Sequence, residues 1–226
     1  MRTFILTIIY FVIGSLSLLL QSQTSFLPEL AAKASLMPVL LILLVLNLNL
    51  NDEKLHKLIF MGLIFSWAGD VILEFSHRNE LFFMAGLLSF MAAQFLYLTV
   101  FFKTPGRSTI FKDRTYLITP VVIYGAGLLL ILYKDLSDMR IPVIIYALVI
   151  LTMVTGAADR IEKVNRTSFS LVLAGAILFV ISDSCIAINK FSYPFEFSGI
   201  VIMSTYIIAQ YLIVTGYIRQ FAVKFK

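Results

Sequence analysis

Eight apolar stretches, each close to the roughly 20 residues that a helix needs to cross a bilayer, follow one another along this 226-residue chain. Short connections that carry most of the charged residues separate them, and no connection is long enough to form a soluble domain. We therefore predict an all-α, polytopic membrane protein with a single transmembrane domain over residues 1–226. The predicted spans are residues 3–20, 29–48, 57–75, 81–102, 115–133, 140–158, 168–189 and 196–218.

The composition agrees with a membrane protein and excludes several other classes. Hydrophobic residues make up 60% of the chain and charged residues 14%, against about half and a quarter in soluble domains. Soluble enzymes, nucleic-acid-binding modules and secreted disulfide scaffolds are excluded, because too few polar residues remain to cover a soluble surface. The lone cysteine, Cys185, lies inside an apolar stretch. A lone cysteine cannot form an internal disulfide, and it argues against a cysteine-based metal site. The sequence shows no cluster of metal ligands and no nucleotide-binding motif, so we expect no metal and no cofactor. The apolar composition also leads us to expect no nucleic-acid partner.

The positions of Lys and Arg predict the orientation in the membrane. The first stretch is expected to be a retained helix rather than a cleaved signal, because its apolar run is longer than the usual 7–15 or so residues of a signal core. The side that holds both termini then carries 13 basic residues: Arg2, Lys54, Lys57, Lys103, Arg107, Lys112, Arg114, Arg160, Lys163, Arg166, Arg219, Lys224 and Lys226. The other side carries 5, namely Lys33, Arg78, Lys134, Arg140 and Lys190. Both termini are therefore predicted to be cytoplasmic.

The third and seventh stretches share a pattern that ends in an aspartate. Gly62-Leu-Ile-Phe-Ser-Trp-Ala-Gly-Asp70 aligns with Gly175-Ala-Ile-Leu-Phe-Val-Ile-Ser-Asp183, with glycine eight residues before the aspartate in both. An Ala-Gln pair follows in the next stretch, which places Gln94 24 residues after the first aspartate and Gln210 27 residues after the second. This pattern predicts an internal repeat of two four-helix halves with the same orientation in the membrane.

Asp70 and Asp183 are the strongest functional candidates. An ionised side chain in hydrocarbon costs several kcal/mol, so each carboxyl group is expected to face the protein interior or a wet cavity. The alternative is a structural role, with each aspartate hydrogen-bonded between helices or paired with Lys33. Glu74 lies one helical turn beyond Asp70 and is expected on the same face. Lys33 is expected to supply a counter-charge or to bind an anionic headgroup.

Other polar residues inside the stretches are weaker candidates. Tyr97 lies one turn from Gln94, and Tyr206 and Gln210 are four residues apart, so each pair is expected to share a helix face and could contact a substrate. Glutamine in a membrane helix otherwise serves to hold helices together. Both histidines, His56 and His77, lie in predicted connections and are expected to be solvated there.

Four motifs together make the chain resemble the YhhN family. They are Lys33-Ala-Ser-Leu-Met-Pro38, the Gly62–Asp70 motif followed by Phe83-Met-Ala-Gly-Leu-Leu-Ser-Phe90, the segment from Gly175 to Ala187, and Tyr206-Ile-Ile-Ala-Gln210. The resemblance implies an eight-helix membrane hydrolase, located in the inner membrane when bacterial, that cleaves the vinyl ether bond of lysoplasmalogens. Many relatives have histidine where this chain has Gln94, a departure that bears on any proton-transfer role at this position.

The chemistry implied by this resemblance suits two buried carboxyl groups. Vinyl ether hydrolysis begins with protonation of an alkene carbon, so one carboxyl is needed as general acid and another to stabilise the cation and activate water. We interpret Asp70 and Asp183 as this pair, with a single-chain lysophospholipid as substrate and Lys33 as its phosphate contact. Two other interpretations stay open: a proton-coupled transporter of small molecules or lipids, and a noncatalytic scaffold.

Overall fold

Eight long helices account for most of the part of the chain that the structure describes. The structure is a computed structural model, and it describes residues 2–21, 26–48, 54–108, 110 and 113–221. The helices are α1 (Arg2–Leu20), α2 (Phe26–Asn47), α3 (Lys54–Leu73), α4 (Glu80–Lys103), α5 (Ile118–Leu132), α6 (Arg140–Ala158), α7 (Arg166–Ala187) and α8 (Ser198–Phe221). No strand is found among these described residues.

Each helix, extended in three cases by an adjoining short helical turn, is long and apolar enough to cross a membrane. Many large apolar side chains are exposed along these helices, including Leu130 at 78%, Ile141 at 71% and Phe4 at 69%. Such a surface would cause aggregation in water, whereas in a bilayer it contacts the apolar lipid chains. The chain is an integral membrane protein, and the predicted all-α architecture of eight spans is confirmed.

The observed helix ends differ from the predicted ones by only a few residues. Helix α2 begins at Phe26 instead of residue 29, and α3 begins at Lys54 instead of residue 57. The first turn of α3 carries Lys54 and His56, so hydropathy falls there although the backbone is already helical. The first turn of α2 contains Pro28, which the start of a helix accepts. Helix α7 continues as a π-helical turn, Ile188–Ser192. Lys112, Lys224 and Lys226, which entered the charge count, lie outside the described residues.

The described residues divide into two compact units, residues 1–97 and residues 98–226, with the boundary inside α4. In the first unit, α2 packs against both α1 and α3. In the second unit, α7 packs most extensively against α8 and also against α6, which in turn contacts α5. The interpretation of the chain as a single transmembrane domain stays a prediction.

Glycine allows two pairs of helices to approach closely. A Cβ atom added at Gly62 of α3 would lie 2.5 Å from Cε1 of Tyr97 on α4. One added at Gly175 of α7 would lie 2.8 Å from the carbonyl oxygen of Ala209 on α8. Both distances are shorter than van der Waals contact, so any side chain here would push the helices apart. The internal repeat itself stays a prediction.

The start of α7 is held by a side-chain cap. Asn165 accepts a hydrogen bond of 2.9 Å from the backbone N–H of Ser168, which satisfies one of the free donors at the helix start. The side-chain amide of Asn165 also donates to the carbonyl of Arg219 at 2.9 Å. The beginning of α7 is thereby tied to the last turn of α8, which positions the helix that carries Asp183.

Candidate active site

Asp70 lies in the last turn of α3 and is partly buried. The residue before it, Gly69, allows the ring of Phe90 on α4 to pack directly on the α3 backbone, since an added Cβ would lie 2.9 Å from Cδ2 of Phe90. Tyr10 of α1 is fully buried and close enough to interact electrostatically with Asp70 and Tyr97. The carboxyl group therefore lies among helices, as expected for an ionisable residue in a membrane span.

A compact ion-pair network lies one turn beyond Asp70. Lys33 Nζ on α2 is 2.7 Å from Glu29 Oε1 and 2.9 Å from Glu74 Oε2. All three side chains are only 14% exposed, so the two carboxylates share one well-shielded ammonium. The network carries a formal charge of −1 when all three groups are ionised. Lys33 thus supplies a counter-charge, and its partners are Glu29 and Glu74. A contact between Lys33 and a substrate phosphate stays a prediction.

Gln94 and Tyr97 of α4 are both fully buried. The Tyr97 ring lies against Gly62 of α3. On α8, Tyr206 and Gln210 are buried as well, and the Gln210 amide donates to the Tyr206 hydroxyl at 3.4 Å. That long hydrogen bond confirms the predicted shared face of Tyr206 and Gln210. Substrate contact by any of these four residues stays a prediction.

Asp183, in the last two turns of α7, accepts a short hydrogen bond from α6. The hydroxyl of Tyr146 donates to Asp183 Oδ2 at 2.5 Å. The next residue, Ser184, accepts a hydrogen bond of 2.8 Å from the Tyr124 hydroxyl of α5 while donating to its own helix at the Val180 carbonyl. Three helices therefore bring two phenol hydroxyls, a serine and a carboxylate to one place inside the membrane.

A small cavity adjoins these polar groups. Its volume is about 40 Å³, and its lining includes Tyr124, Tyr146, Asp183 and Ser184 together with apolar residues of α5, α6 and α7. A cavity holds a water molecule once about 10–15 Å³ is open to it and polar partners are at hand. The cavity beside Asp183 meets the condition of size, but its exposed surface is apolar, so the cavity by itself does not bind a water molecule.

Sequence reasoning missed several of these neighbours. Tyr146 and Tyr124 lie in the middle of their spans and Glu29 in the first turn of α2, and none of them belongs to a distinctive sequence pattern. Ser184 also belongs to this group, since it accepts a hydrogen bond from Tyr124 in addition to bonding the backbone of its own helix. His56 was assigned to a solvated connection, and this was wrong: it lies in the first turn of α3 and is only 4% exposed.

A second charged cluster lies in the α6–α7 connection, outside the spans. Burial alone would raise the pKa of Asp159, but hydrogen bonds from Lys163 at 2.6 Å, Ser108 at 2.7 Å and the Ile110 N–H at 3.3 Å hold that pKa below its ordinary value. Burial lowers the pKa of the neighbouring Arg160 to about 10. Gly106, with φ of +135°, lies over Lys163, a conformation and a close approach that suit only glycine. The cluster anchors the α4–α5 connection.

Among the described residues, no group of three or more His, Cys, Asp or Glu side chains lies close enough to bind a metal ion. That the protein works without metal or cofactor stays a prediction. What the two aspartates offer is acid–base chemistry within apolar helices.

The fold and these residues define a polytopic membrane protein with carboxyl groups built into two of its spans. The family model described as the YhhN family matches residues 29–217. The chain belongs to the YhhN family, and the predicted resemblance is confirmed.

Several curated relatives carry a functional name. Lysoplasmalogenase TMEM86A from Bos taurus is 34% identical over 69% of this chain and 62% of its own length. Lysoplasmalogenase TMEM86A from Homo sapiens is 32% identical over the same shares of the two chains. Lysoplasmalogenase TMEM86B from Homo sapiens is 27% identical over 84% of this chain and 76% of its own length. The chain thus spans about three fifths of the first two relatives. No solved structure matches it.

Proposed function

We propose that this protein is a membrane hydrolase that cleaves the vinyl ether bond of lysoplasmalogens to a fatty aldehyde and a glycerophospho-alcohol. The names of its relatives support the reaction class. The structural observation that carries the proposal is the Asp183 carboxylate, which accepts a hydrogen bond from Tyr146 and borders a cavity of about 40 Å³ among apolar helices. Hydrolysis within a bilayer needs an acid–base group in a protected site that admits a water molecule.

The proposed reaction runs through a cation. A carboxylic acid gives its proton to the alkene carbon distal to the ether oxygen, which leaves an oxocarbenium ion at the neighbouring carbon. Water adds to that carbon and loses a proton to a carboxylate. The resulting hemiacetal collapses to the aldehyde and the free hydroxyl of the glycerol. No electrons are gained or lost overall, so the steps need only protons, water and charge stabilisation.

Within this scheme, the two aspartates take different parts. Asp183 borders the small cavity, so we assign it activation of the water and stabilisation of the cation. Asp70 is then the general acid. The Glu29–Lys33–Glu74 network, with Lys33 as the phosphate contact and Glu74 beside it, is assigned to the headgroup. Gln94, Tyr97, Tyr206 and Gln210 are assigned to the substrate passage. The substrate is a lysophospholipid taken from the surrounding bilayer.

The proposed setting is a bacterial inner membrane with both termini in the cytoplasm. The asymmetry of 13 basic residues against 5 supports this orientation. A reporter enzyme that works only in the cytoplasm should be active when it is fused after the last residue. Activity of a reporter that works only in the periplasm would overturn the orientation and move both aspartates toward the cytoplasmic side.

The function is tested with purified protein in detergent micelles. A lysoplasmalogen should release aldehyde, whereas the matched lysolipid with a saturated ether should not, because it has no alkene to protonate. A proton-coupled transporter, which intramembrane carboxylates would also suit, does nothing without a sealed compartment. Intact lysoplasmalogen after incubation with well-folded protein would overturn the hydrolase; substrate uptake into proteoliposomes by the same preparation would favour transport.

A further inference from the structure

A larger groove lies beside the small cavity, within the second unit. It has a volume of about 380 Å³ and runs between α5, α6 and α7. Its lining is apolar almost throughout and includes Val121, Val154, Phe169, Leu173 and Ile177. Its volume falls within the range of about 300–1,000 Å³ usual for ligand pockets. The reaction steps above make no use of this groove.

The groove meets the small cavity at one end. Tyr124, Leu151 and Val180 line both of them. On the cavity side of these shared residues stand Asp183 with its Tyr146 hydroxyl and Ser184 with its Tyr124 hydroxyl. On the groove side the walls are hydrocarbon. A ligand that occupied both spaces would therefore be an apolar chain with one end beside these hydrogen-bonded groups.

The length of the groove matches one lipid chain. Along α7 it extends from Phe169 to Ile181, a separation of 12 residue steps, or about 18 Å at the rise of an α-helix. One leaflet contributes about 15 Å of a hydrocarbon core that is roughly 30 Å thick. A single extended chain would therefore fill the groove from its junction with the cavity to its far end. A single chain is therefore the occupant that the length and volume of the groove suit.

We propose that this groove binds the hydrocarbon chain of the lysolipid, with the reactive end at Tyr124 and Val180 next to Asp183 and the terminal methyl group near Phe169 and Leu173. The inference rests on the proposed function, because it places that substrate. It makes the far end of the groove the determinant of chain length, and it explains a preference for one chain by volume rather than by headgroup recognition.

The first test uses labelling, so it does not depend on turnover. Saturated ether lysolipids, which the enzyme cannot hydrolyse, carry a photoreactive diazirine either near the ether or at the chain end, and labelled peptides are identified by mass spectrometry. The first probe should label α7 around Val180 and the second around Phe169 and Leu173. Label spread evenly over lipid-facing residues such as Leu130 would mean an annular lipid only and would overturn the proposal.

The second test changes the far end of the groove. Leu173→Trp should raise KM about tenfold for a lysoplasmalogen whose chain reaches Phe169, while leaving one of about half that length unaffected. Leu130→Trp is the matched control, since Leu130 is 78% exposed on α5 and does not line the groove. Equal effects on both chain lengths would overturn the proposal.

The two proposals fail in distinguishable ways. Position-dependent labelling without any aldehyde release would keep the chain groove and reject the hydrolase. Aldehyde release with chain-independent labelling would keep the hydrolase and reject the groove. A thermal unfolding profile of Leu173→Trp like that of the parent protein shows that the variant is folded. The labelling experiment uses the unchanged protein, so its result holds even if the variant does not fold.

Discussion

The surroundings of Asp70 and Asp183 differ far more than their sequences do. Asp70 lies near the buried Tyr10 and one helical turn before Glu74, whose carboxylate is paired with Lys33. Asp183 accepts its short hydrogen bond from a neutral phenol and borders a cavity with mostly apolar walls. An ion-pair network thus lies one turn along the helix from Asp70, whereas Asp183 lies between a phenol and an apolar cavity. Two carboxyl groups in unlike environments are what division of labour between acid and base requires.

The difference arises from the helix that precedes each aspartate helix. In the first unit α2 contributes Lys33, and in the second unit α6 contributes Tyr146. The helix that follows packs on a glycine in both units, but the contact differs: a tyrosine ring of α4 lies on Gly62, whereas the backbone of α8 lies on Gly175. Both the polar partners and the helix packing therefore distinguish the two aspartate helices.

The largest expected effect follows from removing either carboxyl group. Asp70→Asn and Asp183→Asn should each lower aldehyde release by about 10²- to 10⁴-fold, the usual contribution of a positioned acid or base. Initial rates in micelles measure this, with thermal unfolding as the check on folding. If one variant keeps near-normal turnover, that aspartate is structural and the paired mechanism is wrong.

A smaller loss should follow from the phenol beside Asp183. Tyr146→Phe removes a hydrogen bond to a charged group, worth about 1.5–3 kcal/mol, so kcat should fall by roughly one to two orders of magnitude. Tyr124→Phe is the control, because its hydroxyl donates to Ser184 rather than to a carboxylate. Equal losses in both variants would show that Tyr146 has no special relation to the reacting group.

The charged network near Asp70 should respond mainly in stability. Lys33→Gln leaves Glu29 and Glu74 facing each other while shielded from water, which should cost about 1–3 kcal/mol in the free energy of unfolding. Denaturation in detergent measures this cost, and adding Glu74→Gln should recover part of it. If Lys33 also holds the substrate phosphate, KM should rise more than kcat falls; a collapse of kcat at unchanged KM would contradict the headgroup assignment.

The smallest effect concerns Asp159, a carboxylate outside the spans that serves as a reference for the two inside. Its pKa is held below the ordinary value of 3.8, so its stabilising contribution is complete above that value and is lost as the pH falls below it. Unfolding temperatures should therefore drop in this acid range, and less steeply for Asp159→Asn. Parallel pH profiles for the two proteins would mean that the Lys163 pair adds nothing to folding.

The spans and the two aspartates were predictable because hydropathy is a local property. A run of about 20 apolar residues must span or aggregate whatever its neighbours are, and an aspartate inside such a run stands out without any knowledge of packing. The shared face of Tyr206 and Gln210 was predictable for a similar reason, since a spacing of four residues on one helix sets it.

The partners of the aspartates depend on how each helix is rotated and which helix lies beside it. Tyr146 and Asp183 are 37 residues apart in the chain, and Lys33 and Glu74 are 41 apart. In lipid, apolar side chains fit any helix face, so the sequence pattern does not reveal which face turns inward. By itself the sequence determined the number of spans, their approximate ends and the carboxyl groups within them. Only tertiary packing decided that Asp183 meets a phenol at a cavity, that Lys33 lies between two glutamates, and that His56 is buried.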